Sequence, residues 1–127
     1  MPNLKRLDLD KNYLTSIPAT MFKNNRELQF ANFLNNRIGA VPAALFANNP
    51  KLEVVWFSGN MVRFQSFYFL AIFSIQIKTI PETLFHNNRE LLFAEFGRNQ
   101  ITEVPRFLFK YNTYLDEVNL RRLKIGN

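Results

Sequence analysis

The sequence predicts a solenoid in which one short unit stacks on the next, and three observations carry that prediction. Leu4, Leu28, Leu52, Leu91 and Leu115 each open a block of the form LxxLxLxxNxLxxIPxxxFxxN, with Ala31, Phe33 and Val55 as conservative replacements at apolar places. Nine positions of the first block recur in the second at a step of 24 residues, and self-similarity at a fixed period marks a repeat array. Tripeptides such as Leu7-Asp8-Leu9 and Val55-Trp56-Phe57 have the period of two of a short strand with one face buried and one offered to solvent. A single coil cannot cover its own apolar edge, so neighbours must stack, and about three are needed for stability.

Taken in order, the first block is Leu4, Leu7, Leu9, Asn12, Leu14, Ile17, Pro18, Phe22 and Asn25, and the second is Leu28, Ala31, Phe33, Asn36, Ile38, Val41, Pro42, Phe46 and Asn49. The third opens on schedule with Leu52, Val55, Phe57 and Asn60, but its later places are filled only from Ile77, followed by Ile80, Pro81, Phe85 and Asn88. The interval from Leu52 to Leu91 is 39 residues, and removing the 15 residues from Val62 to Gln76 restores the regular step. The fourth block is Leu91, Ala94, Phe96, Asn99, Ile101, Val104, Pro105, Phe109 and Asn112, and the fifth begins with Leu115, Val118 and Leu120. The expected organisation is therefore one domain over 1–127 with about five coils: 1–27, 28–51, 52–90 with an insert at 62–76, 91–114 and a partial 115–127.

These residues resemble the leucine-rich repeat family, specifically its 24-residue typical class common in extracellular receptors and matrix proteins. The resemblance covers the chain apart from the insert. It implies an α/β solenoid: an arc with a short-stranded parallel sheet on the concave face and 3₁₀-like or irregular turns on the convex face. It also implies a secreted or cell-surface setting, in a receptor, immune or matrix protein. Many such members end in cysteine-rich caps, and this chain has no cysteine and hence no disulfide framework.

The repeated polar and aromatic places have mechanical roles. Asn12, Asn36, Asn60 and Asn99 follow the strand where the chain turns, and an inward amide there can pair backbone groups that the turn strands. Loss of one such amide is expected to cost roughly 1 to 3 kcal/mol. Phe22, Phe46, Phe85 and Phe109 share one register and are expected to stack as a convex-side spine, each worth roughly 3 to 5 kcal/mol on truncation to Ala. Pro18, Pro42, Pro81 and Pro105 fix φ and lack a donor, which favours an extended segment at those places.

The insert, VRFQSFYFLAIFSIQ, is aromatic and aliphatic and shorter than the ~20 residues of a bilayer span. Two readings stay open. One is a retained intron, since Val62-Arg63 can be encoded by a donor-like GTA-AGA and Phe73 to Gln76 by a pyrimidine-rich stretch closing in CAG. The other is an apolar loop that packs on the solenoid or docks a partner. The intron is favoured because the ends of the segment coincide with the break in the repeat, and because an exposed apolar run is an aggregation hazard. A separate coil through Phe67, Leu70, Ile72 and Ile77 would leave only 15 residues from Leu52 to Phe67.

At 127 residues, 47% hydrophobic with 14 Phe, the chain suffices for a linear core. Met1 to Leu4 already belong to the first repeat, and Leu123 replaces the expected Asn before the chain stops at Asn127, so a fragment of a longer repeat protein is expected. No NxS or NxT glycosylation acceptor occurs. The net charge of +6 raises an acidic partner, but Lys5, Arg6, Arg26, Lys51, Arg89, Arg98, Arg121 and Arg122 are interleaved with Asp8, Asp10, Glu53, Glu95, Asp116 and Glu117. A dedicated nucleic-acid stripe is more segregated, so a solvated surface of basic bias is expected and nucleic acid is not.

Catalysis finds little support. His86, the single histidine, shares a turn column with Lys23, Ala47 and Lys110, where exposed filler is expected. GxGxxG, Walker, HExxH and CxxC patterns are missing, a Ser-His-Asp set would have to span both faces, and Asp8 with Asp10 reads as a surface pair. No catalytic residue, metal or cofactor is assigned. Function is instead expected on the concave strands. One column there is Arg6, Phe30, Val54, Phe93, Glu117, and the next is Asp8, Asn32, Trp56, Glu95, Asn119. Phe30, Val54, Trp56 and Phe93 form an apolar centre flanked by Arg6, Asp8, Glu95 and Glu117, with Asn32 counted among the binding residues, as in an interface core with a polar rim for a protein or peptide ligand. The rival reading is a structural spacer within a longer solenoid, with a basic nucleic-acid or membrane-surface binder third.

Overall fold

The computed structural model describes residues 2–57, 77–97 and 99–119. Asn60, the insert 62–76 and the close of the fifth block from Leu120 lie outside the described residues. Five three-residue strands follow in order: β1 (Arg6–Asp8), β2 (Phe30–Asn32), β3 (Val54–Trp56), β4 (Phe93–Glu95) and β5 (Glu117–Asn119). They form one parallel sheet in sequence order, each strand pairing with its neighbours in the chain. Such an order follows when each coil stacks directly on the one before it.

The turn side is built from overlapping bonds three residues apart. In the first coil Met21 N donates to Pro18 O, Lys23 N to Thr20 O, Asn25 N to Phe22 O and Leu28 N to Asn25 O. The same four bonds recur from Pro42 to Leu52, from Pro81 to Leu91 and from Pro105 to Leu115. Each series begins at a proline carbonyl, consistent with proline accepting where it cannot donate. The helical partner of an α/β architecture is thereby reduced to a string of tight turns. After the strands the chain bends through the left-handed region at Lys11 (φ 58°) and Asn35 (φ 57°). Asn35 tolerates that conformation and fastens it by donating from Nδ2 to Asp10 Oδ1 at 3.0 Å.

Inside the coils, the central strand residues Ala31, Val55 and Ala94 are fully buried, as are Leu28, Leu52 and Leu91 just before the strands. Two aromatic columns run perpendicular to the coils. Phe22, Phe46, Phe85 and Phe109 stack near-parallel at 5.8, 6.0 and 5.8 Å between centroids. Phe33, Phe57 and Phe96 stack beside them at 5.2 Å per step, and the two columns meet edge to face at Phe85 and Phe96. Phe109, the outermost described member, is only partly buried. Leu45, Leu84 and Leu108, at places the consensus leaves unassigned, are also buried. Ile77 O accepts from Gln100 N as Leu14 O accepts from Arg37 N, so Ile77 stands where Leu14 stands two coils earlier.

Asparagine amides run along both bends. Asn36 Nδ2 donates to Leu9 O, Phe33 O and Leu34 O, and its Oδ1 accepts from Leu14 N. Asn99 Nδ2 reaches Phe57 O, Phe96 O and Gly97 O. Asn12 makes only two bonds, to Leu9 O and Asp10 O, and is exposed, because no coil covers its outer side among the described residues. The opposite bend carries a second ladder to which the repeat assigned no role. Asn49 donates to Phe22 O and Asn25 O, Asn88 to Phe46 O and Asn49 O, and Asn112 to Phe85 O and Asn88 O, at 2.7 to 3.1 Å. Each rung thus ties its own coil to the one before.

Ion pairing contributes little by comparison. Lys51 Nζ lies 2.8 Å from Glu27 Oε2, with both side chains over a third exposed. The hydrogen bond to Lys51, reinforced by its charge, holds the Glu27 carboxyl below its ordinary value, and the same bond raises the Lys51 ammonium. The carboxyl side therefore adds stability above the ordinary carboxylate pKa, lost as pH falls through the lowered value. Exposure keeps that contribution small. Glu27→Gln is expected to leave the melting temperature at neutral pH unchanged within error, and a clear loss would show the pair to matter more than its exposure allows.

Candidate concave interaction surface

The sheet register brings the variable strand residues into two columns. Arg6, Phe30, Val54, Phe93 and Glu117 are paired in one, and Asp8, Asn32, Trp56, Glu95 and Asn119 in the other. Because side chains alternate along a strand, the members of both columns on β1 to β4 leave the face opposite Ala31, Val55 and Ala94. Phe30, Val54, Trp56 and Phe93 are half-buried against one another. The Trp56 ring meets Phe30 at 5.1 Å and 76°, and Phe93 at 6.3 Å and 81°. These edge-to-face contacts lock the indole between two rings across three adjacent coils. At the first-coil end, the Arg6 guanidinium lies 3.8 Å from the centroid of Phe30, a cation–π contact that orients the charge over the patch edge.

The rim divides into exposed and buried members. Arg6, Asp8 and Glu117 are exposed and Glu95 half-buried, so three carboxylates and one guanidinium surround the aromatic centre. Asn32 is different: it is 4% exposed. Its Nδ2 donates to Asp8 Oδ1 at 3.2 Å and its Oδ1 accepts from Leu34 N at 2.9 Å. Asn32 therefore sits under the surface as a brace for Asp8 and the turn, because a short amide at this place finds one partner on the neighbouring coil and one on its own before it reaches solvent. Asp8 Oδ1 also accepts from Asp10 N.

His86 Nε2 lies 3.2 Å from Phe107 O, and its ring meets Tyr111 edge-on at 5.0 Å. That joins it to a turn rather than to a nucleophile. Among the described residues, no group of three His, Cys, Asp or Glu is arranged to hold a metal ion. No described helix is long and apolar enough to cross a membrane. The turn side also gathers Arg89, Arg106, Phe107, Lys110 and Tyr111, residues that look scattered along the chain and that charge counting alone did not single out.

Compared with known proteins, residues 2–62 match the family model described as Leucine rich repeat, and residues 70–125 match the one described as BspA type Leucine rich repeat region (6 copies). No curated protein matches the sequence. Among solved structures, the APL1 leucine-rich repeat domain is 18% identical with a TM-score of 0.82, over 99% of this chain and 29% of that one. The leucine-rich repeat domain of APL1B is 18% identical with a TM-score of 0.80, over 98% and 34%. A chain of the glycosylated Toll–Spatzle complex of Drosophila development and innate immunity is 21% identical with a TM-score of 0.76, over 91% and 14%. At these identities the likeness is one of fold, and this chain spans about a third or less of each of those chains.

Proposed function

Since the chain belongs to the leucine-rich repeat family, we propose that it is a non-catalytic recognition module that holds a protein or peptide ligand on its concave face. The observation that carries this reading is the Phe30–Trp56–Phe93 chain of edge-to-face rings, set on three consecutive strands and partly open to solvent. Rings already locked by neighbours lose little freedom on binding, so the contact area they offer is not offset by ordering entropy. Aromatic anchors inside a charged border have the composition of an interface centre and rim. The border is mostly acidic, with Asp8, Glu95 and Glu117 against Arg6, which favours a ligand with an apolar core and basic flanks. One of the similar folds belongs to a protein complex of innate immunity, which supports a protein ligand and an extracellular, receptor-like or immune setting.

The test is a displayed peptide library selected on the wild-type domain, with selected peptides then titrated against Trp56→Ser/Phe93→Ser. Two lost anchors of about 2 kcal/mol each predict a weakening of about 30-fold if they act as one unit and close to a thousand-fold if they add. The melting temperature should fall only a few degrees, since the rings are half-buried and the coil interior is untouched. Selected peptides that bind the double variant as tightly as wild type would sink the concave assignment. Failure to select any peptide would favour the structural-spacer reading.

A further inference from the structure

The turn side of the third and fourth coils gathers cations that the chain keeps apart. Lys110 Nζ lies 5.8 Å from the Phe107 ring centroid and 5.3 Å from that of Tyr111, so it sits between the two. Arg106 covers Phe107 at 5.3 Å, and Arg89, from the preceding coil, covers Tyr111 at 5.3 Å. His86 closes the group against Tyr111 and the Phe107 carbonyl. Glu82 and Glu90 belong to the same turns and Glu103 lies just before Pro105, yet among the described residues none forms an ion pair with these three cations. The earlier coils lack this surface. The places of Arg106, Phe107 and Lys110 are held in the second coil by Ala43, Ala44 and Ala47.

Arg89, Arg106, Phe107 and Lys110 are exposed, and Phe107 keeps 47% of its surface open. Ring contacts hold the charged groups in place without neutralising them, which lowers the ordering cost when an anion arrives. The surface is an open turn ridge, not a pocket, so it suits an extended polyanion over a small enclosed anion. The ring faces are already taken by the protein's own cations, which disfavours base stacking of the kind that single-stranded nucleic acid uses. The exposed part of Phe107, 47% of its surface, offers apolar contact between charges.

We propose that this ridge is a second binding surface, separate from the concave face, for an extended acidic peptide segment in which carboxylates flank an apolar side chain. Arg89 and Arg106 donate to carboxylates in two-point contacts, Lys110 adds a central charge, and Phe107 receives the apolar side chain.

The experiment is fluorescence anisotropy with a labelled peptide of four glutamates around a central leucine, titrated with the whole chain at low salt and at about 0.15 M. Binding should weaken with salt, and Arg106→Gln/Lys110→Gln should weaken it at least about tenfold. Phe107→Ser should weaken it less, while a peptide with glycine for leucine should not respond to that change. Lys23→Gln/Arg26→Gln removes equal charge from the first turn and should change affinity by less than about twofold, which separates a local site from net charge. Trp56→Ser/Phe93→Ser should leave the peptide bound, so this proposal and the concave one fail independently. Equal losses in the two charge-removal pairs would overturn it. So would tight capture of a sulfated polysaccharide or single-stranded DNA alongside no measurable peptide binding.

Discussion

Phe46→Ala is expected to lower the stability of the domain by roughly 3 to 5 kcal/mol. Phe46 is fully buried and stacks on Phe22 at 5.8 Å and Phe85 at 6.0 Å, while its edge meets Phe57 at 6.3 Å. Removing the ring opens a void that three coils share, and stacked coils cannot close on it without shortening the sheet spacing that their backbone bonds hold. In a quasi-one-dimensional array the loss also weakens coupling between the coils on either side, so the thermal transition should broaden as well as shift. Phe109→Ala supplies the contrast. Phe109 stacks on one neighbour and is partly exposed, so the expected cost is about half as large or less. Chemical denaturation of the two variants decides the matter. Equal losses would mean that the column does not transmit packing from coil to coil.

Asn88→Ala should cost about 2 to 5 kcal/mol, because two buried carbonyls, Phe46 O and Asn49 O, lose the donor that serves them at 3.1 and 2.8 Å. Asn88→Asp is the sharper variant. It keeps the shape but aims a carboxylate at two carbonyl oxygens, so at neutral pH it should destabilise more than Ala. Burial without a donor raises the folded-state pKa of that carboxyl above its unfolded value. The sign is then fixed: the variant gains stability relative to neutral pH as pH falls toward the unfolded value, where the carboxyl is protonated and can donate. Denaturation at pH 7 and pH 4.5 against wild type tests this. An Asp variant no worse than Ala and insensitive to pH would show that the amide proton donors are not what these rungs supply.

Much of this architecture was legible because each place in a repeat experiences the same surroundings. The constant step put Arg6, Phe30, Val54, Phe93 and Glu117 into one column, and the sheet register pairs those residues. Asn25, Asn49, Asn88 and Asn112 were equally visible in the alignment, and so was the apolar column of Met21, Leu45, Leu84 and Leu108. Their work was not visible. Recurrence reports that a place is constrained without saying which backbone groups the side chain reaches, and at the second bend those groups belong to the preceding coil. Asn32 departs from its column for a related reason. Strand alternation places it on the open face, but an Asp one coil away captures its amide and draws it under the surface.

From the sequence alone came the period, the positions of the strands to within one residue and the aromatic residues of their outward columns, because these follow from nearest-neighbour stacking of one unit, while the parallel sheet on a concave face was what the family resemblance implied. The tertiary structure alone decided which charges become neighbours. Arg89 and Lys110 are 21 residues apart in the chain, and their shared contact with Tyr111 exists only because one coil rises a single strand spacing above the last. Winding the chain converts a distance of nearly one repeat into a side-chain contact, and a charge pattern read along the chain cannot register it.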